Sequence, residues 1–377
     1  MWSAPEGCAP EKMRDIARAG RLTAGRKAAN LAERWSAQLR FAARMKAPSS
    51  ALKPVILPGP EAVGELELVR KGDPDCVLVQ GDNLAALRGL AEQETRFALA
   101  YLDPPFLTGR EHALVERKRG KQGEIVRTLK PAFDDRWDSL EDYLAALKPR
   151  IAAARDLLMQ DGCLVLHVDP KTSHYLKVAC DQIFGRDCFA SEIVWRYRRW
   201  PAKTPNFQRV HDVLLRYVKD PRVAPRFNQL YEPLAPSTLA TWGTRKQRAI
   251  TDESGRRTRS SSTAEATPGA PMGDVWEIGI VAPVAKERTG YPTQKPEALM
   301  SRIVQSCSHP GDWVLDVYAG SATTATVARK LGRAAVSLDE SEQALEVARH
   351  RLKSAGFPAL ELKVAAARAA SPRAVVA

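Results

Sequence analysis

The sequence lacks any apolar run long enough to cross a membrane. No stretch of about 18 consecutive apolar residues occurs in the chain, and the N-terminus lacks the apolar core of a signal peptide. The six cysteines lie apart and form no Cys-x-x-Cys pair, which argues against a zinc site and against a disulfide scaffold. These absences predict a chain with no membrane partner and no metal, at work in a reducing cytoplasm.

Basic residues outnumber acidic ones. Lys and Arg together number 57 and Asp and Glu 44, so the formal charge is +13 at pH 7. Such an excess fits a polyanionic partner, and it equally fits a basic surface encoded by a GC-rich genome that favours arginine over lysine. Net charge alone leaves both interpretations open.

Composition divides the 377 residues into three parts. Residues 1–60 join an Ala- and Arg-rich segment, a strongly helix-forming mixture, to a proline-rich linker. We expect a basic helical extension there, which either packs on the main body or lies along phosphates. Residues 61–355 form the main domain, and residues 356–377 are expected to be a C-terminal tail.

Apolar runs alternate with amphipathic segments from residue 76 onward. The predicted strands cover 76–80, 97–102 and 163–169, and the predicted helices cover 139–162, 174–185 and 296–308. This alternation predicts an α/β fold with a doubly wound, mostly parallel sheet. The Ser-, Thr-, Gly- and Arg-rich residues 253–274 are expected to form a mobile loop.

The stretch LAYLDPPFLTGR, residues 99–110, places a carboxylate and an aromatic ring at the tip of a strand. An apolar run leads into Asp103, and Pro104 and Pro105 must end the strand, because proline cannot donate to a sheet ladder. Phe106 follows on this stiff turn. Taken alone, the pattern fits either a helix-capping acid beside a core phenylalanine or a reactive site.

A second strand end, in VLDVYAGSATT, has the features of a ligand-binding turn. Asp316 ends the strand, Gly320 lies in the turn, and small residues open the next helix, where backbone N–H groups can meet a polar ligand. Asp339 follows the next strand, where an acid suits ribose hydroxyls. Because the G-x-G-x-x-G fingerprint is absent, a nucleoside with a small cationic tail fits better than a dinucleotide.

Several stretches together resemble the amino-methyltransferases that act on DNA. In order they are QGDNLAAL, YLDPPFLTG, GCLVLHVD, DQIFGRDCFASEIVWRY, HDVLLRYVK, ERTGYPTQKPEALMSRIV, PGDWVLDVYAGSATT and GRAAVSLD. The chain is similar to the adenine-N6 kind in the beta order, with the catalytic half before the cofactor half, as in modification subunits of type III restriction systems. The resemblance implies a circularly permuted Rossmann-like methyltransferase fold.

The resemblance implies S-adenosylmethionine as methyl donor. It assigns Asp316, Tyr318, Ala319, Gly320, Ser321 and Thr323 to the loop around the methionine moiety, Asp339 to the ribose, and Asp82 with Asn83 to the adenine end. Thr293, Gln294 and Lys295 match the segment that approaches the amino-acid end, where Lys295 could meet a carboxylate. The sequence departs from the family at Val317-Tyr318 and at Ala322, which replaces a glycine and costs about 1 kcal/mol if its φ is positive.

The same resemblance assigns catalysis to Asp103, Pro104, Pro105 and Phe106. An exocyclic amine is a poor nucleophile, because its lone pair is delocalised into the base. The Asp103 carboxylate and the Pro104 carbonyl can accept its two hydrogens and free the lone pair for in-line attack on the donor methyl. Phe106 offers a face for the flipped base, a contact typically worth about 1–3 kcal/mol.

DNA contact is expected along WRYRRWPAKTPNFQR, residues 195–209, and target recognition within about 205–285. The candidate residues for DNA binding are Arg196, Arg198, Arg199, Trp200, Lys203 and Arg209. The expected partner is double-stranded DNA at the nucleoid of a bacterial cytoplasm, with a homodimer or a cognate restriction endonuclease as further possibilities. Two alternatives stay open: cytosine-N4 methylation, and a degenerate subunit that binds donor or DNA without catalysis.

Overall fold

The computed structural model describes residues 66–92, 95–119, 125–203, 205–248, 250–256 and 261–365. The extension predicted at residues 1–60 lies outside them. In chain order the strands are β1 (Leu66–Arg70), β2 (Asp73–Gln80), β3 (Phe97–Leu102), β4 (Glu111–Arg119), β5 (Ile125–Asp134), β6 (Leu158–Val168), β7 (Phe189–Arg196), β8 (His211–Val218), β9 (Tyr231–Glu232), β10 (Arg245–Arg248), β11 (Ser261–Ala266), β12 (Ala270–Pro271), β13 (Val275–Glu277), β14 (Trp313–Asp316), β15 (Ala334–Asp339) and β16 (Ala359–Val364).

The helices of the described residues are α1 (Asn83–Ala91), α2 (Leu140–Asp156), α3 (Ser173–Phe184), α4 (Pro236–Trp242), α5 (Glu297–Cys307), α6 (Thr323–Lys330) and α7 (Glu342–Ser354), with a short 3-10 turn at Arg186–Cys188. Three of these helices begin at a side-chain cap. Asp82, Ser139 and Ser341 accept hydrogen bonds from the first-turn N–H groups of α1, α2 and α7.

A ten-stranded sheet organises the main domain in the order β1-β16-β2-β15-β14-β3-β6-β8-β7-β13. The six strands from β16 to β6 run parallel to one another, whereas β1 and β8 are antiparallel to their neighbours. Helices α1 to α3 pack in one series and α5 to α7 in another. The predicted doubly wound, mostly parallel fold is confirmed.

The centre of this sheet brings the two predicted functional strand ends together. All six residues of β3 are buried, as the apolar run predicted. Strand β3 lies between β14 and β6, and Asp316 of β14 pairs in register with Tyr101. Because these strands are parallel, the turns after Leu102, Asp316 and Val168 leave the sheet at one edge. The predicted catalytic and cofactor halves are therefore neighbours despite their separation in sequence.

Three predicted boundaries are wrong. Strand β6 begins at Leu158, not at 163, because an apolar segment here continues directly from the helix and its periodicity does not separate the two. The loop expected at 253–274 contains β11 and β12. The tail expected from residue 356 contains β16, which pairs with β1 and β2 inside the main sheet.

The segment predicted for target recognition, 205–285, is partly a component of the main sheet. Strand β8 pairs with β6 and β7, and β13 pairs with β7. Between them lie α4 and the two-stranded pairs β9–β12 and β10–β11. In the part of the chain that the structure describes, no helix is both long and apolar enough to span a bilayer.

Candidate active site

A cavity of about 730 Å³ opens at the edge of the sheet where β3 and β14 end. The predicted catalytic residues Asp103, Pro104, Pro105 and Phe106 all line it. So do eleven of the residues predicted for the cofactor: Asn83, Thr293, Gln294, Lys295, Asp316, Tyr318, Ala319, Gly320, Ser321, Thr323 and Asp339. The turn after β3, with Asp103, and the glycine turn after β14, with Gly320, thus face a single space.

The turn that carries the predicted catalytic residues, 103–108, is called the catalytic turn here. It is held by Asp135, a residue that the sequence analysis missed. Its buried carboxylate accepts hydrogen bonds from the backbone N–H groups of Phe106, Leu107 and Thr108, at 3.2, 2.8 and 2.9 Å, and from the Thr108 hydroxyl at 2.6 Å. Leu107 has a φ of 58°, a left-handed conformation that these bonds maintain. The two prolines alone do not fix this turn.

Asp103 lies between a lysine and a histidine. Lys295 Nζ is 2.9 Å from Asp103 Oδ1, and His167 Nδ1 is 3.5 Å from the same oxygen. The Lys295 ammonium also lies 4.7 Å from the centroid of the Phe106 ring. Lys295, predicted for the carboxylate of the donor, is therefore paired with the predicted catalytic acid in this structure.

His167 links the catalytic turn to a buried polar chain. The Tyr101 hydroxyl is 2.8 Å from His167 Nδ1, and His167 Nε2 is 3.4 Å from an oxygen of Asp212. Tyr197 donates its hydroxyl to the other oxygen of Asp212 at 3.0 Å. Burial, and then the nearby Lys295 charge, lower the pKa of His167, so the imidazole is neutral near pH 7.

The glycine turn after β14 approaches its neighbours closely. Gly320 has a φ of 48°, and a Cβ built on it would lie 3.1 Å from a ring carbon of Tyr291. Its N–H donates to Asp339 at 2.8 Å. Ala322 has φ 53° and ψ 40°, so the departure from glycine falls in the left-handed region and is the costly case.

Two acids that line the cavity are shifted towards their neutral forms. Burial raises the pKa of Asp316 to about 8. Burial likewise raises the pKa of Asp339 to about 6, against the opposing hydrogen bonds from the N–H groups of Ser341 and Gly320. A bound cation would favour the ionised forms, because it replaces the solvation lost on burial.

Some predicted cofactor residues make protein contacts instead. Asp82 is not among the residues that line the cavity; it caps α1 and accepts a hydrogen bond from Arg150 at 2.6 Å. Arg150, which the sequence analysis missed, also bonds Asn83 and lines the cavity. The Gln294 amide is engaged within its own loop, with Thr289 and the Glu287 carbonyl.

Five of the six residues predicted for DNA contact lie on the loop between β7 and β8, and the sixth, Arg196, is the last residue of β7. The last residue of β7 lies opposite the first residue of β8, and the start of β8 lies opposite the end of β6. The loop between β7 and β8 therefore leaves the sheet at the edge that carries Asp103. Trp200 and Phe207 are 93% and 105% exposed. Arg198, Arg199 and Lys203 are exposed, whereas Arg196 pairs with Glu277 and Arg209 with Asp169.

Comparison with known proteins identifies the family. A family model for N6 and N4 enzymes, described as DNA methylase, matches residues 97–350, which is more than half of the chain. The chain belongs to the DNA methylase family. The prediction that it is a DNA methyltransferase that uses S-adenosylmethionine is thereby confirmed.

Individual relatives match most of this methylase. Type II methyltransferase M.HpaI of Haemophilus parainfluenzae is 27% identical over 286 residues, 75% of this chain and 77% of that protein. DNA adenine methyltransferase YhdJ of Escherichia coli (strain K12) is 26% identical over 296 residues, 78% and 88% of the two chains. Among solved structures, the PvuII DNA methyltransferase (cytosine-N4-specific) gives a TM-score of 0.48 at 13% identity and covers 76% of this chain and 90% of that one.

Proposed function

We propose that the methylase transfers a methyl group to the N6 amine of adenine in double-stranded DNA. The observation that carries this proposal is the shared cavity, which joins Asp103 and Phe106 to the glycine turn at Gly320. The relatives include one named as a DNA adenine methyltransferase, which supports adenine over cytosine.

The cavity suits S-adenosylmethionine in size and charge. Drug-sized ligands occupy cavities of roughly 300–1,000 Å³. The carboxyl groups of Asp316 and Asp339 can pair with a cation and accept hydrogen bonds from hydroxyl groups. We propose that the turn around Gly320 holds the amino-acid part, that Asp339 accepts a hydrogen bond from the ribose, and that Asn83 lies at the adenine end. The donor, when bound, supplies an electrophilic methyl group.

The chain's own residues prepare the target amine. Asp103 and the Pro104 carbonyl would accept hydrogen bonds from its two N–H groups, while Phe106 stacks against the base. Tyr143, whose hydroxyl donates to the Pro105 carbonyl at 2.8 Å, and Asp135 keep the turn rigid. Rigid acceptors lower the barrier, because little reorganisation is needed during the reaction.

We propose that the β7–β8 loop meets the DNA. Between residues 197 and 210 the loop carries Arg198, Arg199, Lys203 and Arg209 and no acid. The charge of these residues and the position of the loop support contact with DNA phosphates next to the cavity. Trp200 and Phe207 would then lie near the axis of the DNA helix. A bacterial chromosome would be the substrate, in the cytoplasm at the nucleoid. A second copy of the chain or a cognate endonuclease is a further proposed partner, tested by mass measurement in solution and by co-purification.

Nucleoside analysis tests this proposal. Unmethylated chromosomal DNA is incubated with the full chain and isotope-labelled S-adenosylmethionine, digested, and examined by mass spectrometry, and the modified sites are then mapped by sequencing. We expect label in N6-methyladenine at one short sequence. Label in N4-methylcytosine would select the alternative substrate, and absence of labelled base with intact donor binding would select the degenerate subunit.

A further inference from the structure

We propose that Lys295 occupies the place of the target amine until the donor binds, and so makes the target pocket dependent on the donor. This inference rests on the proposed function. It concerns a second use of a lysine that resemblance assigns to the donor alone.

The position of the ammonium matches that required of the target amine. An exocyclic amine that donates to Asp103 must lie about 3 Å from a carboxylate oxygen. On a base stacked against Phe106, the amine also lies within about 4–6 Å of the ring centroid. Lys295 Nζ meets both distances, at 2.9 Å from Asp103 Oδ1 and 4.7 Å from the Phe106 centroid. The contact is an ion pair and not an aligned hydrogen bond, so Asp103 Oδ1 has no hydrogen-bond partner among the described residues.

Burial gives this contact its strength. Lys295 is 9% exposed, and the side chains of Lys295 and Asp103 are 10% and 15% exposed. A pair so shielded from water is screened little by salt. A neutral amine cannot displace the ammonium from a carboxylate cheaply, because the lysine would be left buried and unpaired.

A second anion in the same cavity would release the lysine. Lys295 follows Thr293 and Gln294 in a segment that lines the cavity together with the glycine turn. When a donor carboxylate is within reach, Lys295 can exchange one anionic partner for another without becoming unpaired. Asp103 then becomes available to the target amine, so we expect donor binding to precede capture of the base.

The test compares two duplexes that contain the mapped target site. One carries adenine at the target position and the other carries purine, which lacks the 6-amino group. Dissociation constants are measured for both, without ligand and with S-adenosylhomocysteine, which has the same carboxylate but no methyl group to transfer. The free energy needed to unpair the target base is the same for each DNA with and without ligand. A change in the adenine-to-purine affinity ratio therefore reports the contact with the 6-amino group.

For the unmodified chain we expect the preference for adenine to rise about 10-fold when S-adenosylhomocysteine is present. Lys295→Met should show that preference without any ligand. Lys177→Met is the matched control, because Lys177 also pairs with a carboxylate, Asp181 at 2.7 Å, and lies 4.0 Å from the ring centroid of Phe189, outside the cavity. It should behave like the unmodified chain.

An adenine preference that is the same with and without S-adenosylhomocysteine overturns the inference, since it would mean that the amine and Lys295 share the carboxylate. This comparison needs only the unmodified chain, so it decides the question even if Lys295→Met does not fold. Failure of the proposed function would appear differently, as absence of N6-methyladenine in the nucleoside analysis.

Discussion

We expect the buried carboxyl of Asp316 to couple donor binding to pH. Its pKa is raised to about 8 by burial, so the free protein holds a proton there at pH 7. A cationic ligand favours the ionised carboxylate, and binding must then expel this proton. The proton lost on binding links donor affinity to pH.

We expect donor affinity to increase as pH rises from 6 to 8 and then to level off. Below the pKa of about 8, each unit of pH weakens binding by up to about tenfold, because the proton must be removed first. Titration calorimetry at pH 6, 7 and 8 measures this directly. Asp316→Asn should bind weakly at every pH and lose the dependence between pH 7 and 8, which lies above the pKa of about 6 of Asp339. Equal affinity of the unmodified chain at pH 6 and 8 would contradict this role for Asp316.

The left-handed conformation of Ala322 limits which side chains position 322 accepts. Ala322→Gly should change the free energy of unfolding by less than about 1 kcal/mol, because relief of strain offsets the lost methyl burial and the greater freedom of the unfolded chain. Ala322→Val should cost about 3 kcal/mol, from a β-branched residue at φ 53° and from overpacking at a fully buried site. Urea denaturation compares them; a valine variant as stable as the parent would refute the strain.

Sequence reasoning predicted the residues that line the cavity from a strand end. Asp103, Phe106, Gly320 and Asp339 follow apolar runs, and the edge of a parallel sheet collects such residues. His167 and Asp212 could not be assigned, because their roles depend on strands β6 and β8 lying side by side in register. Asp135 was missed for a similar reason, since it follows β5 and returns to the turn only because β4 and β5 pair as a hairpin.

At the scale of elements, the β4–β5 hairpin and α2 support the catalytic turn. The hairpin begins and ends beside this turn, with the Gly109 N–H donating to the Asp135 carbonyl at 3.0 Å and the Asp135 N–H donating to Arg110. Helix α2 contributes Tyr143, which is fully buried. The rigidity of the Asp-Pro-Pro-Phe segment is therefore a property of three elements.

Asp135→Ala should reduce methyl transfer strongly while leaving donor binding intact. Loss of four hydrogen bonds to one buried carboxylate loosens Phe106 to Thr108, and a shift of about 1 Å in a positioned group can cost roughly 100-fold in rate. Single-turnover transfer from labelled donor measures the rate. Asp156→Ala, at an exposed aspartate outside the cavity, is the control. An unchanged rate in Asp135→Ala would show that the prolines suffice.

Element boundaries were predicted less well than element order. The pattern around Leu158 is apolar on both sides of the helix end, so periodicity could not separate α2 from β6. Strand β16 is short and follows a long helix near the C-terminus, and its place depends on pairing with β1 and β2, which lie almost 300 residues earlier. Such pairing leaves little trace in a local window.

At the scale of the whole molecule, positive charge and topology agree. The formal charge is +13, and the basic β7–β8 loop leaves the sheet at the edge that bears the cavity. The permuted order of catalytic and cofactor halves has no effect on this edge, because β3 and β14 are neighbours in the sheet. Their adjacency was expected only from the family resemblance.

DNA affinity should fall steeply between 50 and 200 mM salt, because each phosphate contact contributes about −0.9 to the slope of the logarithm of the binding constant against the logarithm of the salt concentration. Arg198→Ala should reduce the slope by about 1 and weaken binding similarly for all sequences. Arg222→Ala, at an arginine paired with Asp220, should leave the slope unchanged. Fluorescence anisotropy with a labelled duplex gives both values, and a slope near zero would argue against phosphate-led binding.

We propose above all that Asp103 prepares the target amine for methyl transfer, in a cavity whose other half binds the donor. The most direct test measures donor affinity and methyl transfer side by side in the unmodified chain, in Asp103→Ala and in Asp103→Asn, which keeps the shape of the side chain beside Lys295. Both variants should bind S-adenosylmethionine within a few-fold of the parent. Asp103→Ala should form no N6-methyladenine, and Asp103→Asn, whose neutral amide oxygen is a weaker acceptor than a carboxylate, should form it much more slowly than the parent. Undiminished methylation by either variant would contradict the claim.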